Sequence, residues 1–293
     1  MSRSLATLCA ALAVAVAVPG AATAERSPVW TVRGAHNTVY LFGSVHVLRP
    51  GDVALPRAAA RAYHDAEQLV MEIDLDDPAV ADPVAIAAQM QRSARLPDGQ
   101  SLREVLGADY PAVAARATAA GLDLAGLDRF APWFVATLWL QLDIARRGFD
   151  AEHGVEQRLA ERAVQDRKPI AGLETPAQQF AVLAGLPLAD QKRFLLMSIE
   201  DADQTDAQLE ALLAAWRTGD APALARLLSD EFEEFPQLYR PLTEDRNRAW
   251  IEQLVPLLDD RDDYLVVVGA LHLVGRNSVV DLLRQRGYAV TQH

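Results

Sequence analysis

Sulfur chemistry is nearly absent from this chain. Of 293 residues one is cysteine, Cys9. It lies in an N-terminal apolar stretch, so disulfides, thiolate metal sites and a cysteine nucleophile are excluded from the rest. Several catalytic templates are missing too: HExxH, the Gly-x-Ser-x-Gly elbow, a Walker loop and a dinucleotide fingerprint. Ser44 has no nucleophile elbow around it. Basic side chains are in deficit, 28 Lys and Arg against 40 Asp and Glu, for a formal net charge of -12. Such a chain is not built to coat nucleic acid or anionic lipid. Beyond the N-terminus there is no apolar run fit to cross a bilayer. The best, Phe130 to Ala145, carries Asp143 and is interrupted by Pro132.

What is present begins with a leader. Arg3, the apolar run Leu5 to Val18, and Ala22-Thr23-Ala24 have the order of a secretory signal peptide cut after Ala24. Residues 1–24 are thus expected to be removed, leaving a single domain over 25–293 that is periplasmic or secreted. An uncleaved membrane anchor is the alternative.

Two copies of Gly-x-x-His close apolar runs far apart in the chain, Val39-Tyr-Leu-Phe-Gly43-Ser-Val-His46 and Tyr264-Leu-Val-Val-Val-Gly269-Ala-Leu-His272. Both runs read as buried strands. Each His then emerges at a carboxyl strand edge, where open α/β sheets place ligand sites. After His46 the pattern predicts a loop, a helix from Pro56 to about Ala66 and a strand Gln68–Asp74. After His272 it predicts a helix near Asn277–Arg286 and a strand Tyr288–Gln292. The expected fold is therefore α/β: a small central sheet made from two strand–GxxH–helix–strand units. A hairpin, Val29–Arg33 with Thr38–Phe42, precedes the first unit. Between the units the sequence predicts helices over Pro78–Arg92, Ser101–Gly107, Asp109–Ala120, Ala131–Arg147 and Ala151–Arg167, then a short strand Lys168–Leu173. More helices follow from Asp190 to Leu258, broken near Gly219, Pro236 and Pro241. This middle reads as a large helical insertion covering the sheet.

Candidate chemistry follows from residue type and place. A strand-end His is either a packed or capping residue or a ligand, and two in matching contexts make His46 and His272 candidates for one shared site. Glu72 is a carboxylate inside an apolar strand, costly unless paired or bound to a cation. Asp74 is expected on the same strand face. Glu174 sits at a strand–helix junction, either as an active-site carboxylate or as a helix N-terminal charge. Gln179, in the helix that follows, could reach the same crevice. Arg246 and Trp250 share a helix face at i, i+4, fit for an oxyanion or for ordinary ion pairing. His153 and Glu156 lie in a cluster of a kind common on solvated helices. His36, His64 and His293 are given no role.

Together these residues resemble the TraB/GumN family, related to the Tiki metalloproteases. The resemblance runs from Trp30 to about Val290. It is carried by Leu41-Phe-Gly-Ser-Val-His-Val47, Gly172-Leu-Glu-Thr175 with Gln179, Asp245-Arg-Asn-Arg-Ala-Trp250 and Val268-Gly-Ala-Leu-His-Leu-Val-Gly275. It implies an α/β core with paired Gly-x-x-His motifs, and an active site at His46, His272, Glu72, Glu174 and Arg246, with Glu156 of Gly154-Val-Glu156 beside them. Proteolysis is implied by the Tiki branch.

The resulting expectation is an exported metal-dependent hydrolase, peptidase-like, acting on a peptide or protein. His46, His272 and Glu72 would hold Mn, Co or Zn, Glu174 would be general base, and Arg246 would stabilise negative charge. Two alternatives stand beside it. One is acid–base hydrolysis by the same residues without a metal. The other is a non-catalytic periplasmic factor that binds a peptide or polysaccharide during export or signalling.

Overall fold

The computed structural model describes residues 26–52, 54–200, 205–233 and 236–293. The expected signal peptide and Cys9 lie outside them. Six strands form one sheet: β1 (Val29–Arg33), β2 (Thr38–Ser44), β3 (Gln68–Ile73), β4 (Ile170–Glu174), β5 (Tyr264–Gly269) and β6 (Val290–Gln292). Their order is β4-β3-β5-β2-β1-β6. β2, β5, β3 and β4 run parallel, while β1 is antiparallel to both β2 and β6.

β5 is the middle of this arrangement. Every residue of Tyr-Leu-Val-Val-Val-Gly is buried, as a parallel strand covered on both faces requires. Its neighbour β2 is in register with it, Gly43 opposite Val268 and Ser44 opposite Gly269. The two Gly-x-x-His segments therefore leave adjacent strands at the same edge. After Gly269 the chain tightens at once into a 3-10 turn, Ala270–His272, whereas after Ser44 it runs on irregularly to His46.

The two units are present but not symmetric. β3, the second strand of the first unit, pairs with β5. β6, the second strand of the other, pairs with β1 rather than with β2. The β1–β2 hairpin occupies the place that symmetry would give to β6. The helical middle also adds β4 to the sheet edge beside β3.

Most helices fall where periodicity puts them, with shifts that have local causes. The helix expected over 78–92 is two, Pro78–Ala81 and Pro83–Ser93. Asp82, preceding Pro83, is held extended (φ −92, ψ 101) and caps the second helix through the N–H groups of Val84 and Ala85. The segment after Asp150 begins as a 3-10 turn, and its α-helix starts at Val155. Apolar packing divides into one cluster around the sheet, another among the helices Leu102–Leu106, Tyr110–Ala119, Pro132–Arg146 and Leu188–Glu200, and a small third at Leu186 and Leu238. Among the described residues no helix is long and apolar enough to cross a membrane.

Candidate active site

Glu72 is the hub. It is 8% exposed and stands on β3. Its Oε1 accepts the Gly269 N–H at 2.8 Å, and its Oε2 accepts from Arg246 Nη2 at 2.7 Å and Gln179 Nε2 at 3.2 Å. Burial by itself would raise this carboxyl, but the neighbouring imidazoles, Arg246 and the Gly269 N–H hold it down at about 2.

Arg246 arrives from the helix Asp245–Leu257, which follows directly on a π-helical turn, Arg240–Glu244. Its Nη1 donates back to Leu242 O at 3.1 Å. From there it ties two carboxylates together, Glu72 through Nη2 and Glu174 through Nε at 3.0 Å to both oxygens. Trp250 completes this face. Its Nε1 donates to Glu174 Oε1 at 2.8 Å, and the guanidinium carbon of Arg246 lies 4.8 Å from its ring centre. Both Glu174 oxygens are thus committed to neighbours, and Glu174 does not line the adjoining cavity.

The two histidines approach Glu72 from different surroundings. His272 is 4% exposed, with its ring 4.4 Å from that of Trp250. Its Nδ1 lies 2.6 Å from Asn247 Oδ1, an acceptor, which assigns the ring proton to Nδ1. Asn247 is itself held by its amide, which donates to Asn277 O at 2.9 Å. His272 Nε2 faces Arg246 Nη1 at 3.2 Å and Glu72 Oε1 at 3.9 Å. Burial first, then Arg246 and His46, push this imidazole down to about 3 against the pull of Glu72, so it is neutral.

His46 is the open member, its side chain 62% exposed. Its Nδ1 pairs with Glu156 Oε1 at 2.7 Å, and Ser44 Oγ donates to the same oxygen. Glu156 raises the imidazole to about 10. The other ring nitrogen turns toward Glu72: a Cβ on Gly269 would stand 2.9 Å from His46 Nε2 and 3.3 Å from Glu72 Oε1. Glycine at 269 is what allows the three groups to meet. Gly154 does the same for the backbone, since a Cβ there would fall 2.2 Å from His46 O.

His46, Glu72, Glu156, Gln179 and Arg246 form the polar end of a cavity of about 420 Å³ that continues between the sheet and the helical layer. His272 is not on its wall, so the histidines share Glu72 rather than the cavity. Asp74 does not join them. Its carboxylate accepts the Asp76 N–H at 3.0 Å and closes a turn. No motif connects Trp133, Thr137, Met90 and Phe180 with the site, yet all line the cavity. Their helical spacing signals only buried faces, not which void those faces enclose.

The donor types suit a divalent cation. Each imidazole is tied at Nδ1 by an oxygen, as metal-ligating histidines are, which leaves Nε2 for a ligand bond. The spacing is not that of an assembled centre. Among the described residues no group of three or more His, Cys, Asp or Glu stands ready to hold a metal ion, and Arg246 Nη1 is set against the His272 lone pair that a cation would use.

Comparison with known proteins bears on the whole described fold. YbaP of Escherichia coli K12 is 26% identical over 250 residues, spanning 84% of this chain and 87% of that protein. The metalloprotease TIKI2 of Xenopus tropicalis is 25% identical over 320 residues, 89% of this chain but 59% of that protein. A Treponema pallidum protein is 22% identical over 283 residues, 92% of this chain and 84% of its own length. No solved structure matches. A family model matches residues 28–292, from the strand before the first Gly-x-x-His to the strand after the second, and the chain belongs to the TraB/PrgY/gumN family.

Proposed function

We propose that this protein is an exported hydrolase of peptide or protein substrates that works with a divalent cation. The observation that carries the reading is Glu72, an ionised buried carboxylate flanked by two anchored imidazoles and opening onto a cavity. The likeness to a protein named as a metalloprotease supports the same class. Mn, Co or Zn would be held by His46 Nε2, His272 Nε2 and Glu72, and would supply Lewis-acid polarisation of the scissile carbonyl. For this, His46 would have to give up the Nε2 proton that Glu156 and Glu72 favour, and His272 would have to exchange Arg246 for the cation.

The remaining roles belong to the chain. Glu156 and Asn247 fix the two rings. Arg246 keeps Glu72 ionised and aimed. Glu174 is a positioning residue for Arg246 in this scheme, not the general base. Of the site's carboxylates, Glu72 and Glu156 line the cavity, so removal of a proton from attacking water falls to that pair. The Arg246–His272 contact favours a second reading, in which His46 and Glu156 shuttle protons without a metal.

The test is metal analysis of protein purified without chelator or affinity metal, with peptide cleavage and thermal melts for wild type, His46→Ala and His272→Ala. The proposal expects bound metal in the wild type, and loss of metal and cleavage in both variants with a cooperative melt. Cleavage lost without metal in the wild type selects the acid–base scheme. Unchanged cleavage in either variant refutes the assignment, and no cleavage by the wild type returns the protein to a binding role.

A further inference from the structure

The cavity beside Glu72 is far more apolar than hydrolysis requires. Beyond its polar end the wall is built from separate elements of the helical layer: Met90 from Pro83–Ser93, Trp133 from Pro132–Arg146, Phe180 and Leu183 from Pro176–Ala184, and Leu242 from the π-helical turn. Its 420 Å³ is the size of a small-ligand site.

Charge decides what kind of apolar ligand fits. The polar end pairs Glu72 and Glu156 with Arg246 and His46, and Glu174 lies behind Arg246. Among the described residues of the polar end no positive charge is left over for a carboxylate or phosphate head group, which counts against a fatty acid. A neutral amide meets no such penalty.

We infer that this cavity is a specificity subsite for one large apolar side chain of the substrate, of the leucine, methionine or phenylalanine type, adjoining the peptide bond presented to Glu72 and His46. The inference rests on the peptide-hydrolase reading for the identity of the bond and on the cavity alone for the side chain. Met71 and Met90 in the wall suit a range of apolar shapes rather than one.

Occupancy can be read without catalysis. The chain has four methionines, Met1, Met71, Met90 and Met197. Met71 and Met90 line the cavity, whereas Met197 is not on its wall and packs behind it with Leu186 and Leu238. In protein labelled with [13C-methyl]methionine, N-acetyl-leucinamide and N-acetyl-phenylalaninamide should shift Met71 and Met90 and leave Met197 in place. N-acetyl-alaninamide should shift none of them at equal concentration. Thr137→Trp, which fills the cavity from the helix Pro132–Arg146, should abolish the shifts while the melt stays cooperative. Val182→Trp does so from the helix Pro176–Ala184 should the first variant fail to fold. Unmoved Met71 and Met90, or equal movement of Met197, overturns the subsite.

A cleavage arm separates this from the hydrolase reading. In peptides varied at one position, replacing leucine by alanine should lower kcat/KM by roughly a thousandfold, since it removes three carbons and each missing methylene is worth about tenfold or more in an apolar pocket. Methyl shifts without any cleavage uphold the subsite and sink the hydrolase. Cleavage indifferent to side-chain size sinks the subsite and upholds the hydrolase.

Discussion

Gly43 and Gly269 hold equivalent places in the two Gly-x-x-His motifs, yet alanine should act oppositely at them. At Gly269 the backbone (φ −51, ψ 138) is open to any residue, so the substitution removes freedom from the unfolded chain and contributes about 0.4–1 kcal/mol. The new Cβ would lie 2.9 Å from His46 Nε2 and 3.3 Å from Glu72 Oε1. Glu72 is held by three donors and is the harder of the two to displace. His46 is mostly exposed and can swing away, giving up at most an ion pair worth about 1 kcal/mol. We predict that Gly269→Ala keeps stability within about 1 kcal/mol of wild type but separates His46 from Glu72. Misplacement by that order costs roughly a hundredfold in cleavage. At Gly43 the Cβ meets the Ala270 backbone at 3.2 Å, which cannot rotate aside, so Gly43→Ala should lose about 1–3 kcal/mol. Chemical denaturation and peptide cleavage of the two variants make the comparison. A Gly269→Ala protein that cleaves normally, or that loses more stability than Gly43→Ala, would refute the claim that Gly269 exists to let His46 approach Glu72.

Three further outcomes follow from the charges. Arg246→Met strands Glu72 and Glu174 in the interior without a cation, and should cost about 3–5 kcal/mol in a denaturation curve; a loss under 1 kcal/mol would mean that the network is ornamental. His272, held at about 3 against an ordinary 6.5, stabilises fully above about pH 6.5 and loses that contribution as pH falls toward 3. Glu72, held at about 2, adds a second loss as pH falls below about 4.5. His272→Asn, which keeps a donor for Asn247, should flatten the upper limb of the stability–pH curve and also shrink the lower one, because His272 is the foremost group holding Glu72 down; an unchanged upper limb assigns it elsewhere. Glu156→Gln removes the main cause of the raised His46 titration, so NMR should find it moving from about 10 toward 6.5, and a titration that stays put would exclude the Glu156 pair as its source.

Much of the frame was legible because the chain states it locally. The β-branched run before Gly269 predicts a buried strand and forms one, fully covered on both faces. Thr175, a residue type suited to capping, sits where its helix begins. Glu72 could be singled out because a charge in an apolar strand demands partners. What could not be read was set by distance in sequence. Nothing near β1 says that it intervenes between β2 and β6. Glu174 looked like a base because its junction is a common active-site position, and only the arrival of Arg246 and Trp250 from the far side of the sequence takes up its oxygens. The cavity was hidden for a related reason: its wall is shared among short stretches of several helices, each of which shows nothing but a buried stripe.

The strand order has a consequence for how the molecule comes into being. β5, which lies between β3 and β2, belongs to the last thirty or so residues, and β6 then bonds to β1, with His293 N donating to Val29 O at 2.9 Å. A growing chain can pair β1 with β2 and β3 with β4, but has nothing to join the two pairs, and must wait through the later helices for the strand that links them. Such long-range closure is slow to nucleate. It also means that a chain cut short before Tyr264 lacks the sheet's centre, His272 and the Gly269 amide together, so premature termination leaves no partly assembled site.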